Sequence, residues 1–290
     1  MKKAFITGIG GQDGSYLAEY LVDLGYEVHG IVRRNSTPEN QSGRLDSILD
    51  KINTYYGDLL DQGGIERLLD QIQPDEIYNI GAQSHVRISF DIPQFTVQTN
   101  ALGVLNILEA YRRSCPKAKF YQASSSEMFG LSVDEDNAQR ESTPMNPVSP
   151  YGCSKVFGYN IVRNYRRAYG LHATNGILFN HESPRRGTNF VTNKVVKAAD
   201  WVVATGVTNS IRQMCEYVFG KLDLNYQDYV VQNPKYIRPE ELPYLKGDST
   251  KIRKELGWKP KYTFEMLMDE MIDHWMNVYN DKLILEQYHQ

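Results

Sequence analysis

The stretch Thr7-Gly8-Ile9-Gly10-Gly11-Gln12-Asp13-Gly14 constrains this chain more than any other. An apolar run at residues 4–6 leads into it, and a helical pattern over residues 15–24 leads out. Strand, glycine turn, helix is the arrangement that seats the pyrophosphate of a dinucleotide. The helix's first amides and positive dipole end face the anion, and glycine lets the backbone come close. The glycines recur at Gly8, Gly11 and Gly14, with Gln12 and Asp13 between the last two. Glycine turns also occur for purely structural reasons. The flanking strand and helix favour the cofactor reading here.

Beyond that turn, short β-rich runs alternate with helical patterns. Strands are expected over residues 27–32, 53–56, 76–80, 119–124 and 173–178. Helices are expected over 61–72 with Asp61 as N-cap, over 97–114 and over 151–169. Leu102, Leu105, Ile107, Leu108 and Tyr111 mark the buried side of the second of these. This alternation implies an α/β, doubly wound parallel sheet of the Rossmann type over residues 1–179. The second half is less regular, with helices over 210–219 and 264–279, and reads as a smaller substrate lobe over 180–290.

Ligands of such sheets collect at the carboxyl ends of the strands. Arg33 and Arg34 follow the second strand about 20 residues after the glycine turn, where an acidic residue would suit NAD and guanidinium groups suit the 2′-phosphate of NADP. Asp58 and Leu59 follow the third strand, where a carboxylate can accept from the adenine amine. Gly81, Ala82, Gln83 and Ser84 follow the fourth and allow close approach. Turns favour such residues anyway, so each is weak alone.

Tyr151 and Lys155 stand four apart at the start of a helix and share one face. A nearby ammonium lowers a phenol's pKa, and such a tyrosine can take a proton as hydride leaves the same carbon. The fifth strand ends in Ser124-Ser125-Ser126-Glu127. A serine there can donate to the substrate oxygen, and a partly desolvated Glu127 can exchange protons near neutrality.

Composition excludes several classes. A net charge of −3 offers no general attraction to nucleic acid or an anionic membrane. No run approaches the ~20 apolar residues of a membrane span, and no signal peptide is expected from residues 1–8. Cys115, Cys153 and Cys215 form neither a disulfide framework nor a metal-ligand spacing, which points to a reducing cytoplasm. The histidines are dispersed, so metal catalysis is not expected.

Taken together, the stretches 7–16, 30–34, 81–86, 122–130, 149–151, 176–187, 238–239 and 247–260 resemble the GDP-mannose 4,6-dehydratase family, extended short-chain dehydrogenases acting on nucleotide sugars. The resemblance implies NADP as cofactor, GDP-mannose as substrate, and an internal redox cycle between sugar carbons 4 and 6. By the same resemblance Ser125 (where the family usually has threonine), Glu127, Tyr151 and Lys155 are catalytic. His181 and Arg186 would contact the cofactor. Ser84, Asn180, Glu182, Lys194 and Arg238 would join Ser125, Glu127 and Tyr151 around the nucleotide sugar. A homodimer through the 97–114 and 151–169 helices, or a homotetramer, is also implied.

One departure stands out. Family members carry a further stretch of a few dozen residues where this sequence runs from Ala199 directly into Asp200. Intact flanks, and the core that losing a packed unit would expose, favour residues left out of the sequence over a true deletion. That stretch would form a loop or lid near the substrate. Two other readings stay open: another nucleotide-sugar epimerase, reductase or dehydratase, which shares Tyr151 and Lys155, and a catalytically silent NADP-binding protein.

Overall fold

The protein is described by a computed structural model that places residues 1–33, 43–181, 183–185, 200–231, 242 and 244–288. Among the described residues, seven strands build one sheet: β1 (Lys3–Thr7), β2 (Glu27–Val32), β3 (Ile52–Tyr56), β4 (Glu76–Asn79), β5 (Lys119–Ser125), β6 (Ala173–Leu178) and β7 (Asp200–Val203). They are all parallel, in the order β3-β2-β1-β4-β5-β6-β7. The first six lie within one residue of their sequence-based positions at each end. The seventh was hidden because a four-residue run with no turn signal beside it has no periodicity to read.

Chain direction across the sheet reverses between β1 and β4, which is the switch point where such sheets bind ligands. Helix α1 (Gln12–Asp23) covers one face through Ala18 and Leu21, which pack on Ala4, Ile6 and Val28. Helix α2 (Gln62–Ile72) covers the other, capped as expected by Asp61, whose carboxylate accepts from the Gly64 amide at 2.9 Å. Two short helices follow β4, α3 (Val86–Asp91) and α4 (Pro93–Val97). Next to α2 pack α5 (Gly103–Ser114) and α6 (Pro150–Tyr169), through Ile107, Leu108, Tyr111 and Val162.

The helix expected over 97–114 is interrupted. One π turn, Gln98–Leu102, joins α4 to α5. An extra residue in the turn rotates the helix face, so Leu102 is 46% exposed, contrary to expectation. Val104, Ile107, Leu108 and Tyr111 carry the buried side, and Leu105 is partly buried against them.

Beyond β7, α7 (Ile211–Lys221) begins with a capping box formed by Ser210 and Gln213. It rests on α9 (Phe264–Tyr288), where the Tyr217 hydroxyl donates to Asp269 at 2.9 Å. No residue of α7 is buried. Between them, α8 (Thr250–Leu256) places Ile252 against Trp201 and Val203 of β7. Residues 186–199, on the N-terminal side of the Ala199–Asp200 junction, lie outside the described residues.

Candidate active site

Gly8 sits at φ +71°, and a Cβ there would lie 2.8 Å from the Gly81 Cα. The turn after β1 and the start of the loop after β4 thus touch backbone to backbone, which only glycine permits. At Gly14 a Cβ would lie 2.2 Å from the Gly8 carbonyl oxygen, so the first turn of α1 packs directly on the glycine turn. Gly11 caps α1 without a side chain, so no side chain of the cap occupies the positive end of that helix. This bare, backbone-lined end at the switch point fits a dinucleotide pyrophosphate.

The polar groups around the cradle are firmly held. Thr7 Oγ1 donates to Asn79 Oδ1 at 2.6 Å and accepts from the amides of Ile80 and Gly81 at 3.1 and 3.0 Å. Gln12 Nε2 donates to Asp13 at 2.9 Å, and Gln12 Oε1 accepts from the Ser183 hydroxyl at 2.6 Å. His181 Nε2 lies 3.6 Å from the Asp13 carboxylate. The loop after β6 is therefore tied to the glycine turn through Gln12 and Asp13.

The catalytic candidates converge at the end of β5. Ser149 caps α6 by accepting from the Gly152 amide at 3.0 Å, with Pro150 in the first turn. A Cβ on Gly152 would lie 2.8 Å from the Glu127 carbonyl oxygen, so the start of α6 abuts the turn Ser126–Met128 that carries Glu127. Ser125 Oγ accepts from the Glu127 amide at 3.2 Å. Ser125, Glu127, Tyr151 and Lys155 are all buried. Lys155 Nζ lies 5.7 Å from the centre of the Tyr151 ring and donates to the Ala123 carbonyl at 2.8 Å.

The electrostatics correct one expectation. Burial pushes the Tyr151 phenol well above its ordinary pKa, the Ser125 hydroxyl pulls it back, and the charges of Glu127 and Asp13 add to the rise. The Lys155 ammonium, which donates to the Ala123 carbonyl, does not outweigh that rise. Burial lowers Lys155 itself to about 8, opposed by the charge of Asp13.

The remaining expected residues divide. Gly81, Ala82 and Gln83 line the switch point, with Gln83 held at both ends by Asn100: its amide donates to Asn100 Oδ1 and its carbonyl accepts from Asn100 Nδ2, each at 2.8 Å. Ser84, Arg33 and Asn180 are exposed at the strand ends. Asp58 Oδ1 accepts from the Leu60 amide at 2.9 Å. Leu59 is a core residue, against which a Cβ on Gly103 would lie at 2.8 Å. Arg34, Glu182, Arg186, Lys194 and Arg238 lie outside the described residues.

Two participants escaped the sequence reading. Asn100 belongs to the π turn, and the polar run Gln98-Thr99-Asn100 inside an apolar helical pattern was the available signal. Arg44 donates to the carbonyls of Gly10 and Arg185 at 3.3 and 2.9 Å, bracing the glycine turn from a stretch with no motif. Among the described residues, no group of three or more metal-ligating side chains converges, and no helix is long and apolar enough to cross a membrane.

A glycine cradle at the switch point of a parallel sheet, beside a buried Tyr151–Lys155 pair, suits an enzyme that holds a dinucleotide. The family pattern described as GDP-mannose 4,6 dehydratase matches residues 5–200 and 196–271. The chain belongs to the GDP-mannose 4,6-dehydratase family. It is 42% identical to GDP-mannose 4,6 dehydratase 1 of Arabidopsis thaliana, over 94% of this chain and 89% of that one. With GDP-mannose 4,6-dehydratase of Vibrio cholerae it shares 39% identity, over 93% of each. The fold matches that of UDP-glucose 4-epimerase from Thermus thermophilus, solved with NAD, at a TM-score of 0.81 and 22% identity, covering 94% and 99% of the two chains.

The Arabidopsis alignment runs over 326 positions, whereas 94% of 290 residues is roughly 270. Some fifty positions of the relative therefore have no counterpart here. The two family matches meet and overlap at 196–200, which locates the break where the sequence departs from the family.

Proposed function

We propose that the protein converts GDP-mannose to GDP-4-dehydro-6-deoxy-mannose with NADP as a cofactor regenerated in each turnover. The observation that carries this is a buried carboxyl, Glu127, whose amide donates to Ser125 and whose charge acts on Tyr151 at the end of β5. Redox chemistry at one hydroxyl needs only the pair. A carboxyl beside it supports elimination.

An oxidised nicotinamide, held over the cradle of Gly8, Gly11 and Gly14, would supply the hydride acceptor, and its positive charge would favour loss of the Tyr151 proton. The chain's residues handle the protons. Ser125 donates to the carbon-4 oxygen and orients it, and Tyr151 takes that oxygen's proton. The resulting ketone acidifies the proton on carbon 5. Glu127 removes it and delivers it to the hydroxyl leaving carbon 6 as water. An exchangeable proton then returns to carbon 5. Positioned acid–base groups of this kind contribute about 10²–10⁴-fold each.

Arg33, exposed at the end of β2, supports NADP over NAD, because a guanidinium pairs with a 2′-phosphate. With Arg34, Glu182, Arg186, Lys194 and Arg238 it completes the cofactor and nucleotide-sugar contacts of this reading. Exposed Val97, Leu102 and Phe157 on α4, the π turn and α6 support pairing of two copies through these helices. Three free cysteines fit the reducing cytoplasm.

One observation favours a second reading. The absent stretch of some fifty positions adjoins the substrate lobe, which would leave an NADP-binding protein without turnover. Incubation with NADP and each of several nucleotide sugars, followed by NMR of the products, separates the readings. A 4-keto-6-deoxy product from GDP-mannose is expected. Product only from another nucleotide sugar would select a different dehydratase or epimerase, and NADP binding with no product would select the silent protein.

A further inference from the structure

A row of polar side chains crosses the sheet beneath α6. The strand register aligns Thr7 with Asn79, Asn79 with Gln122, Gln122 with Asn175, and Asn175 with Asp200. None of the five is more than 8% exposed. Strands buried on both faces of a parallel sheet ordinarily carry apolar residues at such positions. A buried polar network is tolerated when its members are satisfied, and it then holds one arrangement rigidly.

The bonds run in one direction. Thr7 Oγ1 donates to Asn79 Oδ1 at 2.6 Å, Asn79 Nδ2 to Gln122 Oε1 at 2.7 Å, and Gln122 Nε2 to the Ala123 carbonyl at 3.1 Å. That same carbonyl accepts from Lys155 Nζ at 2.8 Å. At the cradle end, Thr7 Oγ1 also holds the amides of Ile80 and Gly81, and Gly81 is the backbone on which Gly8 packs. At the far end, Asn175 Nδ2 donates to the Tyr159 carbonyl of α6 at 3.3 Å, and Arg166 of α6 pairs with Asp200 at 2.9 Å.

We propose that Thr7, Asn79 and Gln122 are positioning residues for Lys155, fixing the Ala123 carbonyl that holds its ammonium and tying that carbonyl to the glycine cradle. This rests on the assignment of Lys155 to the reaction given above. Asp13 and Tyr151 are the charged and titratable groups that face Lys155 from α1 and from its own helix. None of the three row members ionises, so they act on Lys155 through geometry and hydrogen bonding.

The test compares Thr7→Val, which keeps the shape and deletes the donor, with Thr7→Ser, which keeps the donor. Gln122→Met and Lys155→Met accompany them, all as the full chain with NADP and GDP-mannose. Thr7→Val and Gln122→Met are expected to lower kcat about tenfold, the scale of coupling within one network. KM is expected to stay within about twofold, with the pH limb that Lys155→Met abolishes displaced and Thr7→Ser restoring both readouts. A folded Thr7→Val with unchanged kcat and pH limb would overturn the proposal while leaving Lys155 in place. So would a Thr7→Val that cannot fold, since the row would then serve the sheet alone. Should Lys155→Met keep its rate and its pH limb, the Lys155 assignment itself is what falls.

Discussion

Lys155 and Tyr151 enter the site with opposite displacements, and both have burial as the first cause. The phenol keeps its proton at neutral pH in the protein alone, so the base has to be generated by what binds. Lys155, lowered to about 8, is an ammonium below that value and loses its charge as pH rises through it. Catalysis that uses the cation is therefore predicted to fall on the alkaline side near pH 8, and Lys155→Met to remove that limb, as read from initial rates across a pH series. Glu127→Gln keeps the size of the side chain and deletes its basicity. It is predicted to cut dehydration by about 10²–10⁴-fold, while dinucleotide binding, followed by fluorescence, stays within about twofold because the cradle is built from other residues.

At the scale of elements, the glycine turn acts through backbone contact. A Cβ at Gly14 would meet the Gly8 carbonyl at 2.2 Å and the Ile9 Cα at 2.6 Å, both backbone atoms that cannot swing aside. Gly14→Ala is predicted to cost about 1–3 kcal/mol and to weaken dinucleotide binding, measured by thermal unfolding and titration. Gly25, at φ +77° with nothing near its Cβ position, serves as the contrast. Gly25→Ala is predicted to cost about 1–2 kcal/mol through its left-handed backbone and leave binding unchanged. The elements built on strong local signals were legible in the sequence. Six strands, the Asp61 cap and the helix carrying Tyr151 all stood where periodicity and capping chemistry placed them. What escaped depends on neighbours far away in the chain. The π turn is set by Asn100 reaching Gln83, β7 by its pairing with β6, and the direction of the Lys155 ammonium by the Ala123 carbonyl. No residue spacing encodes those contacts.

Across the whole molecule, the sheet (β7 included) and its N-terminal glycine cradle are densely packed, and α7 is not. With no residue of α7 buried, its amides are protected only by local opening energies near zero. Native-state hydrogen exchange is predicted to label Ile211–Lys221 orders of magnitude faster than β5. Equal protection in the two would show that α7 packs in solution as a full lobe does. The central claim is that Glu127, Tyr151 and Lys155 complete an internal redox cycle in spite of the shortened chain. Running the reaction with GDP-mannose and NADP in deuterated water tests it most directly. The account predicts a 4-keto-6-deoxy product carrying one solvent deuterium at carbon 5, with no net accumulation of NADPH. A product without deuterium at carbon 5, or NADPH rising in step with product, would contradict it.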